Sequence, residues 1–199
     1  MKHLFALMAV FIILMTTANA QSIWKADLAH SRVDFTVTHL VISEVSGRFT
    51  DFDVALRQGK DDFSGSSVEA TIKTASINTD NSQRDNHLRS DDFLNAEKFP
   101  LIKFQSTSFE KTGDNTYAIA GNLTIRDVTK PVVLTGKLNG TVKTPWGDER
   151  AGFTATTTIN RFDYGVKWNK TLDTGGLIAG KDINITLRTE LVKQKATGS

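Results

Sequence analysis

Three of the four histidines of this chain lie beyond the first 20 residues, and they are the residues whose type could support acid–base or metal chemistry. His30, His39 and His87 stand far apart in the sequence. Zinc sites usually place ligands three or four positions apart on a helix, or include cysteines, and this chain has no cysteine. The spacing matches no zinc signature. We therefore predict no metal site and no covalently bound cofactor.

Each histidine also has a structural explanation. His30 follows Asp27, and this spacing indicates a turn or the start of a strand. His39 shares the phase of the apolar residues in a predicted strand, so it should point inward, toward a ligand head group or a backbone carbonyl. His87 lies beside Arg84, where we expect a structural polar network.

Sequence motifs for nucleophilic catalysis or phosphate binding are absent. The chain has neither Gly-x-Ser-x-Gly nor a phosphate-binding glycine-rich loop, and Gly175-Gly176 is typical of a turn. The adjacent acidic pairs at 61–62 and 91–92 fit solvated loops. These observations disfavour an enzyme. A small barrel enzyme that acts on an apolar substrate stays open as an alternative.

Short strands are the elements that must position these residues. Apolar and polar residues alternate in runs that Gly, Asn, Asp and Pro separate, which is typical of antiparallel strands. We predict about eight strands, in the segments 33–37, 49–56, 68–72, 101–109, 117–125, 132–138, 151–159 and 183–187.

The segment 81–97 interrupts this pattern. It is polar and lacks a period of two, so we predict a short helix near 82–89, a turn around 91–94, and a new strand after Phe99-Pro100. Closing a meander of about eight strands into a barrel removes its exposed edges. The predicted fold class is an all-β antiparallel barrel.

The interior of such a barrel can be filled by side chains or can hold one ligand. The chain has 12 Phe and 2 Tyr, a bias toward rings without a polar group that a lipid-lined cavity would favour. A packed core would also be rich in Phe, so composition alone leaves both alternatives open.

The N-terminus has the pattern of a secretory signal peptide. Lys2 precedes the apolar run Leu4–Met15, and small residues follow at Ala18 and Ala20, which predicts cleavage before Gln21. A membrane anchor is the alternative, but a spanning helix needs roughly 20 apolar residues. We expect residues 1–20 to be removed, and residues 21–199 to form one soluble domain in the periplasm or the medium.

The charge balance argues against polyanionic partners. The chain has 24 basic and 22 acidic residues, for a formal net charge of +2. Nothing in this near-neutral balance attracts nucleic acid or an anionic membrane surface.

Several sequence blocks occur together in one order: 24–27, 30–40, 45–49, 84–94, 99–106, 121–130 and 160–166. In this combination the chain resembles the YceI-like polyisoprenoid-binding proteins over nearly all of residues 21–199. The block Arg84–Leu94 is the most diagnostic. Asp127 departs from the pattern, because Gly is expected there, but it lies in a predicted turn.

The resemblance implies a lipocalin-like barrel whose apolar channel binds a polyprenol or an isoprenoid quinone without covalent attachment. The predicted function is an exported soluble carrier or sequestering protein for such a lipid. The alternative is a quinone-linked redox partner of a membrane cytochrome. The identity and tail length of the lipid stay open, as does the choice between monomer and homodimer.

Strand phase and the resemblance together predict the cavity wall. Side chains alternate across a strand, and in a closed barrel the apolar row points inward. The predicted ligand-binding residues are Val33, Phe35, Val37, His39, Ile72, Phe104, Leu123, Ile125 and Ile185.

Overall fold

The computed structural model describes residues 21–173 and 175–195, which form an antiparallel barrel. The predicted signal peptide, residues 1–20, lies outside the described residues. The strands are β1 (Ile23–Ala26), β2 (Arg32–His39), β3 (Ser43–Phe49), β4 (Phe52–Arg57), β5 (Ser67–Lys73), β6 (Ile77–Asn78), β7 (Leu101–Gly113), β8 (Thr116–Ile125), β9 (Val128–Lys143), β10 (Glu149–Asn160) and β11 (Ala179–Lys193). The helix α1 is Ser82–Arg89.

These strands occupy eight positions around the barrel. β1 and β2 share one position because both pair with β11, and the pairing of β1 with β11 closes the sheet. β3 and β4 share a second position, because β3 pairs with β2 on one side and β6 on the other, while β4 pairs with β1 and β5. β5 and β6 therefore share a third position. The predicted barrel with a short helix near 82–89 is confirmed.

The prediction of one continuous strand over 49–56 is wrong. β3 ends at Phe49 and β4 begins at Phe52. Thr50 donates its N–H to the Ser76 carbonyl at 3.1 Å, and Asp51 accepts from the Lys73 N–H at 2.9 Å. The break between β3 and β4 is thus hydrogen-bonded to the 3-10 turn Thr74–Ser76 and to Lys73, which lie between β5 and β6 in the adjacent barrel position.

One end of the barrel is closed by aromatic rings. The loop between β4 and β5 crosses this end and carries the buried Phe63, whose ring centroid lies 5.5 Å from Trp24 and 5.2 Å from Phe153. The Tyr117 hydroxyl donates to the Asp62 carbonyl at 2.6 Å and holds the loop in place. We call this the closed end.

The opposite end is bordered by α1 and by the segment between β10 and β11. Asn81 caps α1 by accepting the Arg84 N–H at 3.0 Å. The buried Asp85 carboxylate accepts from the N–H and the hydroxyl of Thr79 at 2.8 and 2.6 Å, which fixes the helix to the chain leaving β6. No helix in the described residues is long and apolar enough to span a membrane.

Candidate functional site: the interior cavity

The barrel encloses an apolar cavity with a volume of about 370 Å³. Aliphatic and aromatic side chains from all the long strands form most of its wall. Phe109 and Phe153 border it at the closed end, while His87 and Trp168 border it at the other. The His87 side chain is 44% exposed, so a solvent-exposed residue borders this end of the cavity. We call this end the mouth.

All nine residues of the predicted cavity wall border the cavity. The list is Val33, Phe35, Val37, His39, Ile72, Phe104, Leu123, Ile125 and Ile185. The alternation of β2 places Thr36 between Phe35 and Val37, opposite Ser46 and Asn184 on the outer face. That these residues contact a ligand stays a prediction.

Two glycines make room for aromatic rings in the wall. A Cβ atom on Gly47 would lie 2.3 Å from Cζ of Phe35, its partner across β2 and β3. A Cβ atom on Gly121 would lie 2.5 Å from Cζ of Phe104. Each ring therefore lies against bare backbone, and only glycine leaves this space.

Polar and aromatic groups meet at the mouth. His87 Nε2 lies 2.7 Å from an oxygen of Asp92. The imidazole packs edge-on against Phe93 and Trp168, at ring-centroid distances of 5.0 and 5.6 Å. His39 borders the cavity at the end of β2. The polar network expected beside His87 joins Arg84 and Asp85 to Thr79, whereas His87 itself bonds to Asp92 and borders the cavity.

Arg161 holds the chain segments of the mouth together. Its side chain donates to the carbonyls of Val166, Trp168, Ala179 and Gly180 at distances of 2.7–3.0 Å. The residue is 5% exposed, and burial lowers the pKa of its guanidinium. The segment that carries Trp168 is thereby bound to the start of β11.

His30 lies away from the cavity wall, in a turn. Its Nδ1 atom is 3.1 Å from Asp27, as the sequence indicated. Asp27, His30 and Glu190 could together offer three ligand atoms within 4.8 Å of one another. Arg150 already bonds to both carboxylates and to Asp148. Two hydrogen bonds lower the pKa of Asp27: the one with His30 makes the larger contribution, and the one from the Ala29 N–H the smaller.

The sequence prediction did not include the mouth residues Arg161, Tyr164 and Trp168, which all border the cavity. They lie between strands, where side chains have no regular period that would reveal the face they occupy. The one signal was the sequence block 160–166, which contains Arg161 and Tyr164 and ends two residues before Trp168, but this block indicated the family and no role.

The architecture defines a class of protein. An antiparallel barrel of eight strand positions around an apolar cavity, closed at one end and open at the other, is a lipocalin-like barrel. Barrels of this size can hold one small ligand.

The chain belongs to the YceI-like family, whose domain pattern matches residues 24–191. A UPF0312 protein of Pseudomonas putida strain F1 is 38% identical over 198 residues, covering 98% of this chain and 100% of that protein. The solved YCEI protein of Campylobacter jejuni is 34% identical, with a TM-score of 0.69, over 79% of this chain and 90% of that one.

A more distant structure shares the fold. It is a polyisoprenoid binding domain from Saccharophagus degradans, implicated in plant cell wall breakdown. The TM-score is 0.64 at 12% identity, over 88% of this chain and 99% of that one.

Proposed function

We propose that this protein is an exported carrier or sequestering protein for a long-chain isoprenoid lipid, held without covalent attachment. The observation that carries the proposal is the cavity itself, an interior space in a closed barrel with an almost wholly hydrocarbon wall. The name of the Saccharophagus degradans domain supports an isoprenoid as the ligand. The N-terminal sequence pattern supports export.

Burial of the lipid tail supplies the binding free energy. Each methylene transferred from water contributes about 0.8 kcal/mol. Micromolar affinity requires about 8 kcal/mol, so a few isoprene units are enough even after the cost of ordering the tail. Binding by such a wall tolerates differences along the tail.

In this proposal, the residues at the mouth select among lipid head groups. His39 and His87 offer ring nitrogens, and Trp168 offers an amphipathic ring, beside an otherwise apolar opening. A hydroxyl or a quinone carbonyl that reaches this position can exchange water for protein hydrogen bonds. The proposal therefore places the tail in the barrel and the head group at the mouth.

A matched pair of substitutions tests the proposal. Delipidated protein is titrated with a long-chain ubiquinone, and bound quinone per folded chain is measured for Phe35→Asp and Thr36→Asp, with circular dichroism to confirm folding. Phe35→Asp puts an unpaired carboxylate against the tail, which is unfavourable. We expect it to lose binding, and Thr36→Asp, on the outer face, to keep it.

Two outcomes contradict the proposal. If Thr36→Asp lost the quinone and Phe35→Asp kept it, the assigned cavity face would be wrong. If both variants and the wild-type protein bound no quinone and no polyprenol, the cavity would not be an isoprenoid site.

A further inference from the structure

The turn between β2 and β3 contains three consecutive apolar residues, Leu40, Val41 and Ile42, of which Val41 and Ile42 are exposed and Leu40 is partly buried. We call them the apolar tip. Val41 is 63% exposed. Ile42 is 86% exposed, which is the highest value among the large hydrophobic residues that the structure describes. Exposed apolar side chains grouped at one point commonly mark an interaction site.

The backbone of the tip is also unusual. Leu40 and Val41 adopt φ angles of 52° and 67°. This left-handed region disfavours residues with large side chains and above all β-branched ones, whereas Asn and Gly occupy it readily. Both exposure and backbone conformation therefore favour polar or small residues here. That the chain instead places Leu and Val at these positions points to a role beyond folding.

The tip is part of the mouth. Leu40 donates its N–H to the carbonyl of Ile178 at 2.9 Å, and both Ile178 and His39 border the cavity. A Cβ atom on Gly176 would lie 2.7 Å from Cγ2 of Val41, so the loop between β10 and β11 packs closely against the tip. The apolar surface of the cavity thus continues at the mouth into an exposed apolar projection.

We propose that the apolar tip inserts into the boundary between head groups and hydrocarbon of a phospholipid bilayer, and so brings the mouth to the membrane that supplies or receives the lipid. This inference rests on the proposed function. A lipid too apolar to cross water must enter the mouth from a bilayer. A small convex projection buries little area against another protein, but a fluid bilayer can surround it.

Charge plays no large part in this docking. At this end of the barrel, the segments 38–44 and 167–182 carry three lysines and three acidic residues: Lys167, Lys170, Lys181, Glu44, Asp173 and Asp182. The segment 82–94, which includes α1, adds two arginines and three acidic residues: Arg84, Arg89, Asp85, Asp91 and Asp92. Balanced charges give no net attraction to anionic lipids. Docking therefore depends on apolar burial and is nearly independent of salt and of anionic lipid content.

The test removes the apolar side chains while keeping the turn. In the double variant Val41→Asn, Ile42→Asn, the asparagine at position 41 suits the left-handed backbone there, and both substitutions remove apolar surface. The matched control is Trp146→Asn, which removes an exposed ring (79% exposed) from the turn between β9 and β10 at the closed end. Three quantities are measured: cosedimentation with phosphatidylcholine vesicles, the rate of ubiquinone transfer from those vesicles, and equilibrium binding of ubiquinone delivered in detergent.

We expect the double variant to cosediment and to accept quinone about tenfold less well than wild type, with equilibrium binding unchanged. The control should match wild type in all three. Unchanged cosedimentation and transfer in the double variant would overturn the inference. So would a loss in the control alone, or a steep fall of wild-type cosedimentation with salt.

The readouts separate this inference from the proposed function. If no variant binds quinone by any route but cosedimentation still depends on the tip, the proposed ligand is wrong and docking stands. If quinone binds normally and the double variant cosediments as well as wild type, the inference of membrane docking is wrong and the proposed function is unaffected.

Discussion

Phe35 and Gly47 show how a single pair of residues shapes the cavity wall. The two face each other across β2 and β3, and the ring occupies the space that a side chain at position 47 would take. The Phe35 ring centroid lies 5.8 Å from that of Phe49, the next inward residue of β3. Glycine at position 47 therefore lets two rings line one part of the wall.

Gly47→Val should push the Phe35 ring from its place. The added side chain would meet Phe35 and Thr79, and overpacking of this kind costs about 1–3 kcal/mol of the free energy of unfolding. We expect a lower denaturation midpoint and less quinone bound per chain. Gly152→Ala is the control, since a Cβ atom there has its nearest neighbour at 3.6 Å. Equal effects of both substitutions would contradict this account.

Arg161 should matter more for stability than any surface arginine. Arg161→Met leaves four carbonyls of the mouth without their donor, and each buried unsatisfied group costs about 1–3 kcal/mol. Chemical denaturation measures the free energy of unfolding, and Arg161→Met should lower it several times more than Arg48→Met does. Arg48→Met breaks only an exposed ion pair with Asp80. A loss no greater than that of Arg48→Met would show that water replaces the guanidinium.

At the scale of elements, α1 depends on a few polar contacts rather than on an apolar face. Of its residues, Asp85 is buried and bonded to Thr79, while Arg89 donates to the carbonyls of Ala75 and Ile77 at 2.8 and 3.0 Å. A helix of 8 residues is too short to be stable alone. It therefore owes its position at the mouth to these contacts.

Asp85→Ala should release α1 while the barrel stays folded. The substitution removes the acceptor of both Thr79 hydrogen bonds, so amide exchange in 82–89 should speed up while exchange in β8 and β9 stays slow. Hydrogen exchange with mass spectrometry measures both. The control, Asp91→Ala, changes an exposed residue just after the helix. Uniformly faster exchange throughout the chain would mean that α1 and the barrel unfold together.

The strands could be predicted from sequence because one face of each is apolar, as in 117–125 of β8. The break at Thr50 and Asp51 could not, because it depends on hydrogen bonds to a distant turn that leave the alternation intact. The mouth residues could not be predicted either, since Arg161 lies in a short 3-10 helix and Trp168 in an irregular segment, where no strand alternation shows which way a side chain points. Phe35 and Ile185 could be placed on the wall because a regular strand fixes the direction of its side chains.

For the whole molecule, stability should fall in acid. Hydrogen bonds from the hydroxyl and the N–H of Ser64, and a smaller contribution from the hydrogen bond with Lys111, lower the pKa of Asp62 to about 2. Hydrogen bonds also lower the pKa of Asp148, with the larger contribution from Thr144 and a smaller one from Arg150. Groups with lowered pKa bind protons more tightly when unfolded, so their stabilisation is present above about pH 4 and is lost as pH falls toward about 2.

Melting temperatures across this range test the prediction. Wild type should lose stability from about pH 4 to about pH 2, and Asp62→Asn should lose less, because one of the titrating carboxyls is gone. A melting temperature that rose on acidification, or an identical slope in Asp62→Asn, would contradict the assignment.

The central claim is that an isoprenoid lipid occupies the cavity, and the contents of the native protein test it most directly. Protein purified without detergent from the producing cells is extracted with organic solvent, and the extract is analysed by mass spectrometry against an extract of folded Phe35→Asp. We predict a polyprenol or an isoprenoid quinone at about one per wild-type chain, and much less in the variant. An extract with no isoprenoid, or with equal amounts from both proteins, would contradict the claim.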